Sequence, residues 1–293
     1  MNEPREYLFD MPPPTSPEDA QRTFKQIPHP IWTESKANLI QNYLQGFVFV
    51  TKHGTYIDGF AGPQKVDKHE MWAAKLVVEN RPRWLRHFFF FESDGAKIKT
   101  LEKLIADQPA RERGEAKRTF KIYPGDFNEN IHEMLSEFPV SAKEASFCLL
   151  DQRTFECKWS SVKAVATHKR AGNKIELFYF LANSWIDRSI AGFKNPDRDM
   201  TEWWGSKEWK KLIERKGFER AMYLADRFKA EFGYRYAYPF PIFGKKEGGK
   251  TMYFMVHASD HEDATPIMFR AYKKSVGGNP IHLMQADLIQ RSH

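Results

Sequence analysis

The stretch "YIDGFAGPQ", residues 56–64, joins strand-forming residues directly to a loop of small residues. Residues 55–58 predict a short buried strand that ends in Asp58. Gly59 and Gly62 have no Cβ atom, so the backbone of this loop can approach a bound molecule closely. The stretch therefore predicts either a loop that holds a nucleotide-like cofactor or a tight turn after a buried strand.

Strand and helix patterns alternate on both sides of this stretch. A helix is predicted for residues 32–51, where apolar residues recur at helical spacing. Further helical patterns separate five apolar runs that predict buried strands. These runs are residues 55–58, 87–94, 118–126, 145–151 and 174–183. The alternation predicts a doubly wound α/β sheet of five parallel strands with helices on both faces.

The pattern changes after residue 183. Residues 184–232 predict a helical insertion that is rich in Trp and Lys. Two strand patterns then flank the turn "GKKEGGK", residues 244–250, which predicts an antiparallel C-terminal hairpin. Residues 262–276 predict a final helix.

Composition narrows the class of protein. The 293 residues include 45 Lys and Arg against 38 Asp and Glu, a net charge of +7. This excess indicates either an ordinary solvated surface or a face for nucleic acid.

Residues 1–30 are rich in proline and predict an N-terminal arm, which leaves residues 31–293 as one domain. No signal peptide is recognised, and no apolar stretch reaches the roughly 18 residues of a membrane helix, so a cytoplasmic location without membrane contact is expected.

Motifs for other chemistries do not occur in the sequence. Cys148 and Cys157 form no CxxC pair, and the histidines form no HExxH pattern, so no metal site is predicted. The phosphate-binding GxxxxGK[ST] loop and the GxSxG nucleophile motif are also missing.

Each of the first four predicted strands ends in an acidic residue: Asp58, Glu92, Asp126 and Asp151. Ligands bind open parallel sheets outside the carboxyl ends of the strands, so these carboxylates are expected to share one cleft. Asp58 would orient the glycine loop or the cationic end of a cofactor, and Glu92 would accept hydrogen bonds from ribose hydroxyls. Asp126 would accept from an adenine amino group with Phe127 against the ring, would cap the next helix, or would do both.

The segments "YIDGFAGP", "FFFFESD" and "YPGDFNENI", with Lys36 in "TESK", are together similar to the three-Cys-motif partner family. The resemblance covers about residues 30–185 and, more loosely, the rest of the chain. It implies a Rossmann-like domain of the class I S-adenosylmethionine-dependent methyltransferase type over residues 31–293. It also implies S-adenosylmethionine or S-adenosylhomocysteine as cofactor and a radical-SAM-like three-Cys-motif protein as partner. The implied cofactor-binding residues are Lys36, Asp58, Gly59, Phe60, Ala61, Gly62, Pro63, Glu92, Asp126 and Phe127.

Two positions depart from the family's pattern. Gln64 replaces the usual final Gly of the loop, which predicts weaker or re-aimed cofactor binding. In "LLDQRTFECKW", residues 149–159, no proline follows Asp151, whereas the family typically has an Asp-Pro-Phe-like turn there. Enzymes that methylate amino groups of nucleic acids use such an Asp to contact the target amine and an aromatic residue to stack on a flipped base.

Three residues of this segment are the predicted catalytic set. Asp151 would contact the substrate or accept its proton, or would simply begin a capped loop. Arg153 would bind a phosphate or carboxylate, or would pair with Asp151. Phe155 would stack on the substrate, or would close the core.

Polar and aromatic residues after the fifth strand add to the candidate cleft. Asn183, Ser184 and Trp185 directly follow that strand. Three tryptophans of the insertion are expected either to pack in the core or to serve single-stranded nucleic acid or a base pocket: Trp203, Trp204 and Trp209.

Three functions compete. The sequence favours an S-adenosylmethionine-dependent methyltransferase acting on nucleic acid or another polar acceptor. The altered fourth-strand motif supports the alternative of a non-catalytic partner or regulatory subunit that keeps the fold. A nicotinamide-dependent oxidoreductase is disfavoured, because it would need a fuller GxGxxG loop.

Overall fold

The structure, a computed structural model, describes residues 36–64, 71–138, 140–183, 186–245 and 248–275. The predicted N-terminal arm, Ser184 and Trp185 lie outside the described residues.

One mixed sheet organises the described part of the chain. Its seven strands have the order β3-β2-β1-β4-β5-β7-β6. Strands β1 to β5 pair in parallel, and β7 runs antiparallel to both β5 and β6. The strands are β1 (Thr55–Asp58), β2 (His87–Glu92), β3 (Thr119–Pro124), β4 (Ser146–Leu150), β5 (Glu176–Leu181), β6 (Tyr236–Lys245) and β7 (Gly248–Ser259). The predicted five parallel strands and antiparallel hairpin are confirmed.

Helices connect the strands in the order that the sequence predicts. They are α1 (Lys36–Thr51), α2 (Ala73–Val78), α3 (Gly95–Ala106), α4 (Phe127–Glu137), α5 (Trp159–Ala166), α6 (Ile186–Gly192), α7 (Pro196–Trp204), α8 (Lys211–Glu214), α9 (Gly217–Phe232) and α10 (Ala264–Ser275), with a 3₁₀ helix at Lys207–Lys210. The helical pattern between the first two predicted strands covers residues 69–80, but within the described part of that range α2 has only six residues.

Both faces of the sheet are buried beneath helices. Side chains alternate along β2, so Phe89 and Phe91 pack with residues of α4 and α5, whereas Phe88 and Phe90 pack with residues of α1 and α3. A strand covered on two sides needs apolar residues at every position. This requirement explains the unbroken Phe run of β2.

The path of the chain reverses between β1 and β4. Buried residues of α2 and α3, which follow β1 and β2, pack on one face of the sheet, and buried residues of α4 and α5 pack on the other. Neighbouring strands β1 and β4 therefore send the chain in opposite directions. A reversal of this kind leaves a crevice beyond the carboxyl ends of the two strands.

The insertion is helical, as predicted, and its tryptophans belong to the core. Trp203, Trp204 and Trp209 are 1 %, 0 % and 4 % exposed. The guanidinium of Arg227 lies over the rings of Trp159 and Trp204, 3.7 and 4.3 Å from their centroids. The packing role of the three insertion tryptophans is confirmed, and a stacking role on nucleic acid is wrong because their faces are covered.

Helix length and hydropathy also bear on membrane contact. Among the described residues, no helix combines the length and the apolar character needed to cross a bilayer.

Candidate functional site

Acidic residues meet beyond the carboxyl ends of β1, β2, β3 and β4. Asp58 is the last residue of β1, Glu92 is the last residue of β2, and β4 ends just before Asp151. Strand β3 ends at Pro124, so the prediction that Asp126 ends a strand is wrong by two residues. Asp126 instead precedes α4 as its N-cap, where its carboxylate satisfies a free backbone N–H.

A cavity of about 270 Å³, here called the cleft, opens at this edge of the sheet. Its lining residues come from the loops after four parallel strands. They are Gly59, Phe60, Gly62, Gln64, Phe91, Glu92, Ser93, Asp94, Lys97, Gly125, Asp126, Phe127, Asp151, Arg153 and Glu156. A smaller cavity adjoins the cleft through shared residues and reaches Asp58, Ala61 and Lys36. Most of the predicted site residues are therefore brought together.

The loop after β1 is packed tightly against the protein itself. A Cβ atom at Gly59 would lie 2.8 Å from Leu150 Cδ2, and one at Gly62 would lie 2.1 Å from Glu92 Oε2. The backbone N–H of Gly59 donates to Leu149, and that of Ala61 donates to Phe91. The two glycines thus allow the loop to approach β4 and Glu92, in addition to lining the cleft.

Gly62→Ala is expected to lower the free energy of unfolding by about 2 kcal/mol, because the new methyl group overlaps the Glu92 carboxylate. Urea denaturation measures this change. Gly95→Ala is the matched control, since a Cβ there meets nothing within 4 Å and the residue begins α3. Equal losses in the two variants would contradict the loop packing.

Asp58 is buried, with 2 % of its surface exposed. Its carboxylate accepts hydrogen bonds from the Tyr56 hydroxyl at 2.8 Å and the Phe60 backbone N–H at 3.1 Å. The pKa of Asp58 is raised to about 7, mainly by burial and also by the nearby carboxylates of Asp151 and Glu92, while the two hydrogen bonds oppose the shift. Of its two predicted roles, the structure shows Asp58 orienting the loop.

Glu92 is held by backbone N–H groups. Its Oε2 accepts from Gly62 at 3.0 Å, and its Oε1 accepts from Ser93 and Asp94 at 2.9 Å each. Glu92 also lines the cleft. A carboxylate fixed in this way has one orientation and keeps acceptor capacity for hydroxyl groups, because each ionised oxygen accepts more than one hydrogen bond.

The turn before α4 presents a carboxylate and an aromatic ring. Asp126 is exposed and accepts from the backbone N–H of Asn128 at 2.7 Å. Phe127 lines the cleft but is only 2 % exposed, because its ring packs against Phe60 and Phe91. Phe127 thus belongs to the cleft wall but exposes little of its ring to the cleft.

Lys36 and Asp151 form a buried ion pair at the start of α1. Lys36 Nζ lies 2.5 Å from Asp151 Oδ2, and the two side chains are 8 % and 12 % exposed. Burial lowers the pKa of Lys36, but the Asp151 carboxylate and Tyr253 outweigh it and raise the pKa above its usual range. Lys36 Nζ is 5.5 Å from the centre of the Tyr253 ring. Lys36, not Arg153, is therefore the partner of Asp151.

The second oxygen of Asp151 has a different environment. Asp151 Oδ1 is buried and has no hydrogen-bond partner within the described residues. Asp151 lines both the cleft and the smaller cavity. A buried carboxylate oxygen without a partner is costly, so this atom is a vacant acceptor for a donor group that enters the site.

Arg153 and Phe155 lie in different environments, although they are close in sequence. Arg153 is exposed and lines the cleft, where it is available to an anionic group. Phe155 does not line the cleft; its ring packs edge-on against Trp203 at 4.7 Å and Phe193 at 5.9 Å. Of its two predicted roles, Phe155 closes the core. Asn183, which was predicted to add to the cleft, does not line it; this residue is 8 % exposed, and its backbone carbonyl accepts from Arg220.

Sequence reasoning missed several residues of the site. Lys97 lines the cleft, and its Cδ atom would lie 2.6 Å from a Cβ atom at Gly62. Asp94 and Glu156 are also in the lining. Asp94 caps α3 and Lys97 lies in its first turn, shortly after Glu92. The rule that ligands bind beyond the carboxyl ends of the strands includes this position. Tyr253 comes from the hairpin, and no local pattern indicates its contact with Lys36.

The cleft thus offers hydrogen-bond acceptors from neighbouring strands and two cations at its lining. Carboxylates that face one cavity suit a ligand with several hydroxyl and amino groups, such as a nucleoside. Among the described residues, no group of three or more His, Cys, Asp or Glu side chains is arranged to hold a metal ion. No protein-family model matches the sequence, and a comparison with curated proteins finds no match.

Proposed function

We propose that the protein binds S-adenosylmethionine in the cleft and methylates a nucleic acid or another polar acceptor. The sheet is proposed to be a doubly wound, Rossmann-like methyltransferase sheet. A radical-SAM-like three-Cys-motif protein is the proposed partner. One observation carries the proposal: Glu92, Asp126 and Asp151 line one cavity at the reversal of strand order.

The strand order supports the proposed fold. Strands β3-β2-β1-β4-β5 repeat the order of the dinucleotide-binding sheets, which hold their ligand where the order reverses. The antiparallel β7 and β6 then complete the sheet beyond β5. Five parallel strands followed by a reversed pair is the layout of class I methyltransferases.

The residues present fit the nucleoside part of this cofactor. Glu92 is fixed by three backbone N–H groups and would accept hydrogen bonds from the ribose hydroxyls. Exposed Asp126 would accept from the adenine amino group. S-adenosylmethionine supplies an electrophilic methyl group when bound. The acids of the cleft favour its sulfonium charge over the neutral sulfur of the demethylated product.

Asp151 would hold the methyl acceptor. Its Oδ1 is a vacant acceptor inside the site, and its Oδ2 is bound by the Lys36 ammonium. An acceptor N–H or O–H bound to Oδ1 would have its lone pair fixed in direction. Positioning of this kind is a large part of the rate enhancement in reactions between two bound groups.

The alternative, a non-catalytic partner or regulatory subunit, is favoured by two contacts. Lys36 already binds the carboxylate that would contact a substrate. Phe155, the predicted stacking residue, packs instead against Trp203. Under this alternative the cleft would bind the cofactor but no methyl transfer would follow.

Glu92→Ala is expected to weaken binding of S-adenosylhomocysteine about 30-fold, or about 2 kcal/mol, because charge-assisted hydrogen bonds to the ribose are lost. Isothermal titration calorimetry with S-adenosylmethionine and S-adenosylhomocysteine measures the change. Glu129→Ala is the matched control, since this exposed acid lies in the first turn of α4 and does not line the cleft.

Three outcomes separate the functions. Failure of the native protein to bind either compound would overturn the proposal. Binding that Glu92→Ala weakens, together with methyl transfer to RNA, DNA or protein, would support the methyltransferase. The same binding without transfer would support the partner subunit.

A further inference from the structure

A second cavity lies at the opposite edge of the sheet from the cleft. It has a volume of about 210 Å³ and opens beside the first residues of β4 and β5. Helices α1 and α10 supply its apolar wall through Phe47, Val50 and Ile267. None of its lining residues lines the cleft.

A buried carboxylate lines this cavity. Glu176, the first residue of β5, is 6 % exposed and belongs to the lining. Its Oε2 accepts from the Tyr43 hydroxyl and lies 3.2 Å from His257 Nε2. Within the described residues no hydrogen bond reaches its Oε1. Glu176 is thus fixed through one oxygen, and the other is left for a donor in the cavity.

A positive group lines the same cavity. Lys169 Nζ donates to the backbone carbonyl of Glu144. Burial lowers the pKa of Lys169 to about 8, while the carboxylates of Glu144 and Glu176 oppose that shift, so its ammonium stays mostly charged at pH 7. Two further lysines line the cavity: Lys143, which is exposed, and Lys174, which is paired with Asp260.

A buried hydroxyl group in the lining also lacks a partner. Ser146 is 2 % exposed, and its Oγ has no hydrogen-bond partner among the described residues. Buried polar atoms are nearly always satisfied by protein, water or ligand. The Ser146 hydroxyl therefore marks a polar position that a bound molecule would occupy.

We propose that this cavity binds a small zwitterion with an apolar side chain, that is, an apolar α-amino acid. The ammonium group would bind Glu176, and the carboxylate would bind Lys169 and the Ser146 hydroxyl. The side chain would lie against Phe47, Val50 and Ile267. A ligand with a single charge would leave either Lys169 or Glu176 without a charged partner on the ligand, which costs binding free energy.

Titration of the full chain with L-leucine tests this proposal. Two further probes each remove one charge: 4-methylpentanoate lacks the amino group, and isoamylamine lacks the carboxylate. Leucine is expected to bind at least about tenfold tighter than either probe. No leucine binding at millimolar concentration, or equal affinity for leucine and 4-methylpentanoate, would overturn the proposal.

Two variants locate the site. Glu176→Gln keeps the side-chain volume and is expected to lower leucine affinity about tenfold, while Lys169→Met is expected to do the same by removing the ammonium. If Glu176→Gln does not fold, Lys169→Met carries the test. Glu92→Ala, in the cleft, is the control and is expected to leave leucine binding unchanged. Unchanged affinity in the folded cavity variants would overturn the proposal.

Discussion

Lys36→Met is expected to lower the free energy of unfolding by about 4 kcal/mol, because it leaves the Asp151 carboxylate buried without its counter-charge. Asp151 Oδ1 already lacks a hydrogen-bond partner in the described structure, so neither oxygen would then be compensated. Urea or guanidinium denaturation, monitored by circular dichroism, measures this loss.

Two controls distinguish the ion pair from the bulk of the lysine side chain. Lys75→Met removes the cation of the more exposed Lys75–Glu79 pair and is expected to cost less than about 1 kcal/mol. The double variant Lys36→Met/Asp151→Leu removes both charges and is expected to recover most of the lost stability. A double variant as unstable as Lys36→Met would show that packing around Lys36, not its charge, stabilises the fold.

Asp58→Asn is expected to change the free energy of unfolding more favourably at pH 8 than at pH 4, and the difference between the two pH values is expected to be about 4 kcal/mol. Burial raises the pKa of Asp58 to about 7, so between pH 4 and pH 7 the folded chain keeps a proton that the unfolded chain loses. Native stability therefore falls over this range, and the neutral amide removes that fall. The Asn side chain can still accept from the Phe60 N–H and donate to the Tyr56 oxygen.

The comparison of this variant with native protein is made at both pH values. Contributions from other titrating groups are common to the two proteins and cancel in the difference. Asp107→Asn is the matched control, since its side chain is 60 % exposed at the end of α3. A stability difference for Asp58→Asn that is the same at pH 4 and pH 8 would contradict a raised pKa.

Local patterns predicted the framework of the fold because burial on two faces constrains each strand separately. The Phe run of β2 reads as a doubly covered strand without any knowledge of its neighbours. The predicted end of β3 was wrong because Asp126 caps the following helix. A helix cap follows the end of a strand by a variable number of residues. The strand-end rule therefore found the acids but not their local roles.

Long-range contacts explain what sequence reasoning missed in the site. Lys36 and Asp151 are separated by more than 100 positions, and pattern rules do not pair a helix start with a distant strand end. The same holds for Tyr253 beside Lys36 and for Trp203 against Phe155. Because of these contacts, Arg153 does not pair with Asp151, and Phe155 packs in the core.

The Lys36–Asp151 pair also limits how a methyl acceptor could bind, and this limit bears on the choice between the two proposed functions. A methyl acceptor that uses the vacant Asp151 Oδ1 can bind without breaking the pair. An acceptor that needs both oxygens must displace a buried ammonium, which is costly. The catalytic account therefore requires a substrate that contacts Asp151 through one donor group.

A crystal structure of the protein with S-adenosylhomocysteine tests the central claim most directly. The account predicts electron density in the cleft, with ribose hydroxyls within hydrogen-bond distance of Glu92 and the adenine amino group near Asp126. An empty cleft at saturating ligand, or ligand bound only elsewhere on the protein, would contradict it.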